Sequence, residues 1–330
     1  MNENISTAPR ADAVLSLIGN TPLVPLRFEP EGITIYAKCE FLNPSGSIKD
    51  RFAKTVLLDA RQRGWLKPDS NILECSSGNT GIALSMVGAA LGHHVTILMS
   101  AGASEERRLL IRQLGAELIL FDSGGAYQTG LELAAKMAAE NPHYFLPRQF
   151  ENPLNVEDHE FGTGMEILRQ MDGPIDAFVC GFGTGGTLAG CGRAVKKQWP
   201  KAQIMAMEPA EHALLAGESP CCHYIEGVAD GFIPKLLRTA PLDGEVKIRS
   251  ADAQTMAIRL HREMGLLVGT SSGANIAAAL TIARRLGPKA RVVTMLCDRV
   301  ERYFSTRLFS QSASPVAAKA KPAKAEAVVC

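Results

Sequence analysis

Apolar side chains gather in seven short runs along the chain: Thr34–Ala37, Asn71–Glu74, Val95–Met99, Glu117–Phe121, Ala177–Cys180, Gln203–Met207 and Val292–Leu296. Their β-branched content predicts strands, and the stretches between them carry apolar residues at helical spacing. Strands separated by helices predict repeated βαβ units and mainly parallel sheets, because parallel neighbours need a crossover. The expected fold class is α/β, with two doubly wound lobes. Two helices show their ends: Gly81–Leu91 closes at Gly92, and Ser104–Leu114 opens on Ser104 and Glu105 and stops at Gly115. A chain of 330 residues exceeds one average core. The predicted division is a large domain of residues 1–42 and 153–311, a small mobile domain of residues 43–152, and a flexible tail of residues 312–330. That tail is Ala, Lys and Pro around Lys319, Lys321 and Lys324, too poor in large apolar side chains to fold.

Composition narrows the function classes. Lys and Arg number 35 against 34 for Asp and Glu, so no global field draws in nucleic acid or anionic lipid. The partners expected are a small molecule or another subunit, with no nucleic acid and no membrane. Met1 to Arg10 lacks an apolar core behind a basic start, and no apolar run approaches the length of a membrane span, so a cytoplasmic location is expected. The eight cysteines form no Cys-x-x-Cys pair and read as free thiols. Vicinal Cys221 and Cys222 have no ligand set nearby, and no metal site is expected.

Four segments carry candidate chemistry. Gly181-Phe182-Gly183-Thr184-Gly185-Gly186 follows a predicted strand and precedes a helix from about Thr187, and Glu208 ends the next strand. This is the pattern of a dinucleotide site. The physics is less selective, since a glycine loop feeding a helix N-terminus offers free N–H groups to any phosphate. A phosphate site follows, and a nucleotide-dependent oxidoreductase stays open as one owner, although such an enzyme would carry the fingerprint after its first cofactor-domain strand. In Asn43-Pro44-Ser45-Gly46-Ser47-Ile48-Lys49-Asp50-Arg51, Lys49 stands where a turn enters a helix, at the positive helix end, a setting that suits a Schiff-base lysine. Read alone, it is more simply an ordinary first-turn lysine. Glu74-Cys75-Ser76-Ser77-Gly78-Asn79-Thr80-Gly81 leaves a strand and opens a helix through hydroxyls, an amide and glycines that can wrap a carboxylate; Ser77 or Asn79 also reads as an N-cap. Val268-Gly269-Thr270-Ser271-Ser272-Gly273-Ala274 again ends a strand-like run with hydroxyls at a helix start. Such loops in company with a phosphate loop imply a shared crevice at strand ends.

Together these segments resemble the fold-type II pyridoxal-phosphate enzymes, specifically the cysteine synthases (O-acetylserine sulfhydrylases). The resemblance runs from about Leu17 to Phe309 and takes in Ile18-Gly19-Asn20-Thr21-Pro22-Leu23 and the segment from Arg299 to Phe309. It implies pyridoxal 5′-phosphate in a crevice between two lobes, in a fold like the tryptophan synthase β chain. By position it makes Lys49 the internal-aldimine lysine and the catalytic base, and Asn79 the partner of the cofactor's ring hydroxyl. Ser271 would meet the pyridine nitrogen, while Gly183, Thr184, Gly185, Gly186 and Thr187 would hold the 5′-phosphate. Ser76, Ser77, Gly78, Thr80 and Gln149 match the groups around the substrate carboxylate. Ser76 stands where the family usually has threonine, which keeps the hydroxyl and removes a methyl.

The activity implied is β-replacement on O-acetyl-L-serine by sulfide or thiosulfate, giving L-cysteine and acetate through an α-aminoacrylate. A serine hydroxyl cannot fully protonate the pyridine nitrogen, so the cofactor is a weaker electron sink and loss of the β-substituent outruns transamination. Cys297-Asp298-Arg299 followed by Glu301-Arg302-Tyr303 resembles the B-type, thiosulfate-tolerant branch, whereas Gly227 to Pro234 is closer to the A-type, which leaves the sulfur donor open. Cystathionine β-synthase-like, β-cyanoalanine synthase and serine dehydratase activities would share the same intermediate. An inert docking protein is the remaining alternative, and retention of Lys49, Asn79 and Ser271 argues against it. The resemblance also implies a homodimer, with serine acetyltransferase as a possible partner. Relatives that use O-phosphoserine carry arginine where this chain has Glu226, so an acid lining the pocket would repel a phosphate leaving group and favour acetate.

Overall fold

All seven apolar runs become strands in the computed structural model, which describes residues 10–122, 127–217 and 222–310. The expected tail and Cys221 lie outside the described residues. The chain begins with β1 (Leu23–Phe28) and β2 (Ile33–Cys39), then builds β3 (Asn71–Cys75), β4 (His94–Ser100), β5 (Glu117–Phe121) and β6 (Tyr144–Phe145). It returns as β7 (Ala177–Gly181), β8 (Gln203–Pro209), β9 (Gly244–Ile248) and β10 (Val292–Leu296). The strands form a six-stranded sheet in the order β1-β2-β10-β7-β8-β9 and a four-stranded sheet in the order β5-β4-β3-β6. Every pairing is parallel except β1 with β2. The result is a two-lobed α/β fold with each sheet covered by helices, as fully buried parallel strands require.

Three strands are absent from the sequence reading, and all three lie at sheet edges. β1 contains Pro25, tolerable on an edge because one side of the strand has no neighbour to receive its N–H. β9 alternates charged, exposed positions with buried ones, and β6 is two residues long. The run before Ser271 is a correction in the other direction: Val268 makes only an isolated bridge to Arg299, and the helix Thr270–Leu286 starts directly after it.

Helix ends follow the local chemistry with one exchange. The helix Asn79–Leu91 stops at Gly92, which takes the left-handed conformation at φ 81°. Ser104 precedes the helix Glu105–Gln113, but its hydroxyl caps nothing there; it donates to the Arg302 carbonyl at 2.9 Å, tying the small-sheet lobe to the large one.

The two sheets carry separate cores, with Phe52, Leu57, Ile82 and Ile97 in the smaller and Ile35, Val179, Leu280 and Leu296 in the larger. A buried ionic cluster joins them at the start of the helix Lys49–Gln62. Arg51 donates to Glu40 at 2.7 and 2.8 Å and to Glu166 at 2.8 Å through both terminal nitrogens, and Lys38 donates to Glu166 at 2.7 Å. Two cations face two carboxylates, so formal charge cancels where water is excluded. No helix among the described residues is long and apolar enough to cross a membrane, and no His, Cys, Asp and Glu cluster among them could hold a metal ion.

Candidate active site

A cleft opens at the carboxyl ends of β3, β7 and β10, where open α/β sheets bind their ligands. It is lined by the loops that follow those strands and by Lys49, the first residue of its helix. Lys49, Ser76, Ser77, Asn79, Thr80, Gln149, Gly183, Thr184, Gly185, Thr187 and Ser271 all line it. Of the residues singled out from sequence, Gly78 and Gly186 do not line the cleft; they shape it from behind.

The glycine loop is glycine for steric reasons. A Cβ on Gly183 would stand 2.7 Å from the Gly227 carbonyl oxygen, and one on Gly186 would stand 2.3 Å from Asn155 Oδ1. Gly185 combines φ +85° with a backbone neighbour, Leu237 N, 2.6 Å from its absent Cβ. The loop leads straight into the helix Gly186–Gln198, leaving first-turn N–H groups facing the cleft end. Asn155 Nδ2 donates to Thr184 Oγ1 at 3.0 Å, and His159 Nε2 lies 3.1 Å from Thr187 Oγ1. Burial, helped by Arg51, depresses the His159 imidazole to about 3, so it is neutral at physiological pH and sets the Thr187 hydroxyl without adding charge.

In the turn from Ser76 to Thr80 the hydroxyls build the loop. Ser76 Oγ accepts from the N–H groups of Gly78 at 3.1 Å and Gly81 at 2.9 Å. Thr80 donates to Gln149 Oε1 at 2.6 Å, and Gln149 Nε2 donates to the Cys75 carbonyl at 2.9 Å. Asn79 Nδ2 donates to Asp298 Oδ2 at 2.6 Å, while its buried Oδ1 has no partner among the described residues. Behind this loop Glu74 is fully buried and accepts from Cys75 N–H at 3.0 Å and Gln149 N–H at 3.2 Å.

Burial outweighs those hydrogen bonds and raises the Glu74 carboxyl to about 7 from an ordinary 4.5. A carboxyl that is harder to ionise when folded favours the folded state below pH 4.5 and loses that advantage as pH rises through about 7, a span worth roughly 3 kcal/mol. Relative to Glu74→Gln, the wild type should therefore lose stability between pH 5 and pH 8. Denaturant titrations of both proteins across that range check this; a constant difference between them would show that Glu74 does not titrate there.

Several cleft residues escaped the sequence reading. Arg107 lines the cleft from the helix Glu105–Gln113, and Asp298, just past β10, stands behind the lining and meets Asn79; nothing local marks either. Asp230 lines the cleft, and burial pushes its carboxyl up against the opposing pull of Lys49; an acid inside Gly227 to Pro234 was the available signal. Glu226 does line the cleft, but its carboxylate is bonded to the Arg107 guanidinium. The repulsion of a phosphate argued from sequence counted only the acid, and Arg107 offsets it. Glu208 does not behave as a ribose-binding acid: it is wholly buried and accepts from Leu215 N–H at 2.9 Å.

The model of the family described as pyridoxal-phosphate dependent enzyme matches residues 14–298. The cysteine synthase of Staphylococcus aureus (strain Mu50 / ATCC 700699) is 43% identical over 302 residues, spanning 91% of this chain and 97% of that protein. The chain belongs to the pyridoxal-phosphate dependent enzymes, in their cysteine synthase family. Among solved structures, O-ureido-L-serine synthase superposes with a TM-score of 0.88 at 40% identity, covering 92% of this chain and 96% of that one. The O-acetylserine dependent cystathionine β-synthase of Helicobacter pylori gives 0.86 at 32% identity, covering 90% and 98%.

Family membership makes this an enzyme dependent on pyridoxal phosphate and removes the nucleotide-dependent oxidoreductase as owner of the glycine loop. The residues present fit the cofactor. The glycine loop brings the N-terminus of the helix Gly186–Gln198 to the cleft, Asn79 keeps a buried amide oxygen with no partner among the described residues, and a lysine and a serine hydroxyl line the same cleft from different elements.

Proposed function

We propose that this enzyme replaces the acetoxy group of O-acetyl-L-serine with sulfide, or with a related sulfur nucleophile, to give L-cysteine and acetate. The observation that carries the reading is the meeting of Lys49, the Ser76–Thr80 loop and the glycine cradle in one cleft between the lobes. When bound, pyridoxal phosphate supplies the electron sink that lets a Cα proton and a β-substituent leave an amino acid. The N–H groups from Gly183 to Thr187 would bind its phosphate at the helix N-terminus. Asn79 would meet the ring hydroxyl and Ser271 the ring nitrogen. Lys49 Nζ would anchor the cofactor covalently and, once displaced by the substrate amine, take the Cα proton as general base. Ser77 and Thr80 would hold the substrate carboxylate, with Ser76, Gly78 and Gln149 fixing the loop that presents them. We place the moving lobe at residues 43–152, so that closure would bring this loop over the substrate and exclude water.

The test is product analysis with O-acetyl-L-serine or L-serine, each with and without sulfide. Cysteine formed only when both O-acetyl-L-serine and sulfide are present is the expected result; pyruvate as the main product in the presence of sulfide would replace this reading with a dehydratase. Ser271→Asp should protonate the ring nitrogen more fully and lower the replacement rate by about tenfold, roughly 1.4 kcal/mol of barrier. Unchanged steady-state rates and unchanged visible absorbance would refute the role given to Ser271.

A further inference from the structure

We infer that Asp298 is a positioning residue for the cofactor: its carboxylate grips the Asn79 amide by the nitrogen and so fixes how that amide meets the ring hydroxyl. The inference rests on the role proposed for Asn79 and names the group that orients it.

Asp298 follows the end of β10 and stands behind the cleft lining. Its Oδ2 accepts from Asn79 Nδ2 at 2.6 Å and from the Tyr303 hydroxyl at 2.6 Å. Asp298 and Tyr303 are each 1% exposed, so bulk water does not compete for these bonds. Burial holds the Tyr303 phenol well above its ordinary 10, which keeps it a donor. A carboxylate has no hydrogen to give, so it takes only the amino end of an amide. A neutral amide in its place would accept either end of Asn79, and the orientation would no longer be fixed. Arg107, over the Tyr303 ring at 4.9 Å, supplies the positive charge that offsets the carboxylate in this dry setting.

The backbone of the same residue ties down the neighbours of two further cofactor candidates. It bridges Ser47, just before Lys49, and its carbonyl accepts from the Gly269 N–H at 3.1 Å, just before Ser271. On either side, the Ile48 N–H donates to the Cys297 carbonyl at 3.0 Å and the Arg299 N–H to the Gly46 carbonyl at 3.1 Å. A Cβ on Gly269 would lie 2.3 Å from Asp298 Oδ1 and 2.5 Å from Tyr303 Cε2, so glycine leaves the room that the carboxyl and the ring fill. Those backbone contacts survive a change of side chain at 298, whereas the grip on Asn79 does not. Scaffold and side-chain roles are therefore separable: Asp298→Asn keeps the size and the backbone, loses the charge, and no longer selects one end of the Asn79 amide.

The experiment dialyses the holoenzymes of wild type, Asp298→Asn, Asn79→Ala and the double variant against falling concentrations of pyridoxal phosphate and follows cofactor retained and visible absorbance, with urea titrations as a separate reading of stability. Asp298→Asn should hold the cofactor about tenfold more weakly than wild type, the worth of one hydrogen bond to a charged group, and should move the visible band. In the Asn79→Ala background the same substitution should change affinity by less than about twofold and leave the band where Asn79→Ala puts it, because the side chain through which Asp298 acts is gone. Wild-type affinity and absorbance in Asp298→Asn would overturn the inference. An equal loss in both backgrounds would also overturn it, since Asp298 would then act through packing and not through Asn79. Tyr303→Phe keeps the carboxylate and removes its second donor; it should weaken binding about threefold with the same dependence on Asn79. That variant decides the matter if Asp298→Asn does not fold, and no dependence on Asn79 there would sink the inference. Asn79→Ala with wild-type affinity and absorbance would remove the role of Asn79 and this inference with it, and leave the β-replacement reading to product analysis.

Discussion

Lys49→Ala is expected to abolish turnover, by at least about a thousandfold, while the protein folds and still binds pyridoxal phosphate through the glycine cradle. Loss of a general base alone accounts for about 10²–10⁴ in rate, and the same side chain is assigned the covalent anchor. Lys49 is half-buried on the cleft wall and outside both apolar cores, so truncating it costs little stability. Borohydride reduction separates anchoring from binding: reduced wild type should keep the cofactor's mass on the chain after denaturation, and the variant should release it. Near wild-type turnover, or cofactor still covalently attached to the variant, would remove Lys49 from the centre of the site.

Arg51→Leu should be the most destabilising single change, at about 3–5 kcal/mol, because it strands Glu40 and Glu166 in the interior without their shared cation. Burial on its own would raise the Glu166 carboxyl, yet Arg51 and Lys38 hold it at about 2, below its ordinary 4.5. A depressed carboxyl contributes stability above pH 4.5 and loses it as pH falls through about 2. Without Arg51 that carboxyl moves up and this acid-dependent loss shrinks, so the stability gap between wild type and variant should narrow as pH falls from about 5 toward 2. Urea titrations at pH 7 and acid titrations of both proteins measure the two effects. A loss below about 1 kcal/mol would mean that the carboxylates find water or another partner. The residue lies two positions from Lys49, so the same cluster holds the first turn of the helix that carries the lysine proposed as catalytic.

The pairing of lobes across the cleft explains which parts of the site could be foreseen. The glycine loop, the Ser76–Thr80 turn and the lysine at a helix start are each continuous in sequence, and each has a local reason for its residues. Ser104 shows where local reasoning stops: its position before a helix is that of a cap, and a carbonyl nearly two hundred residues away takes its hydroxyl instead. Glu226 shows the same for charge. Its acidity was legible, but the Arg107 guanidinium that answers it comes from the other lobe.

By itself the sequence determined the α/β class, every interior strand and the loops that carry the proposed chemistry, because periodicity, glycine sterics and helix-end dipoles act over a few residues. The tertiary structure decided three of the four edge strands, β1, β6 and β9, which are short or whose exposed faces dilute the apolar signal, and the buried charge cluster of Lys38, Glu40, Arg51 and Glu166. It also decided that Asp298 reaches Asn79 and that Arg107 reaches Glu226. Those contacts join residues more than a hundred positions apart, and their strength depends on burial and on the lack of competing water, which only the assembled lobes provide.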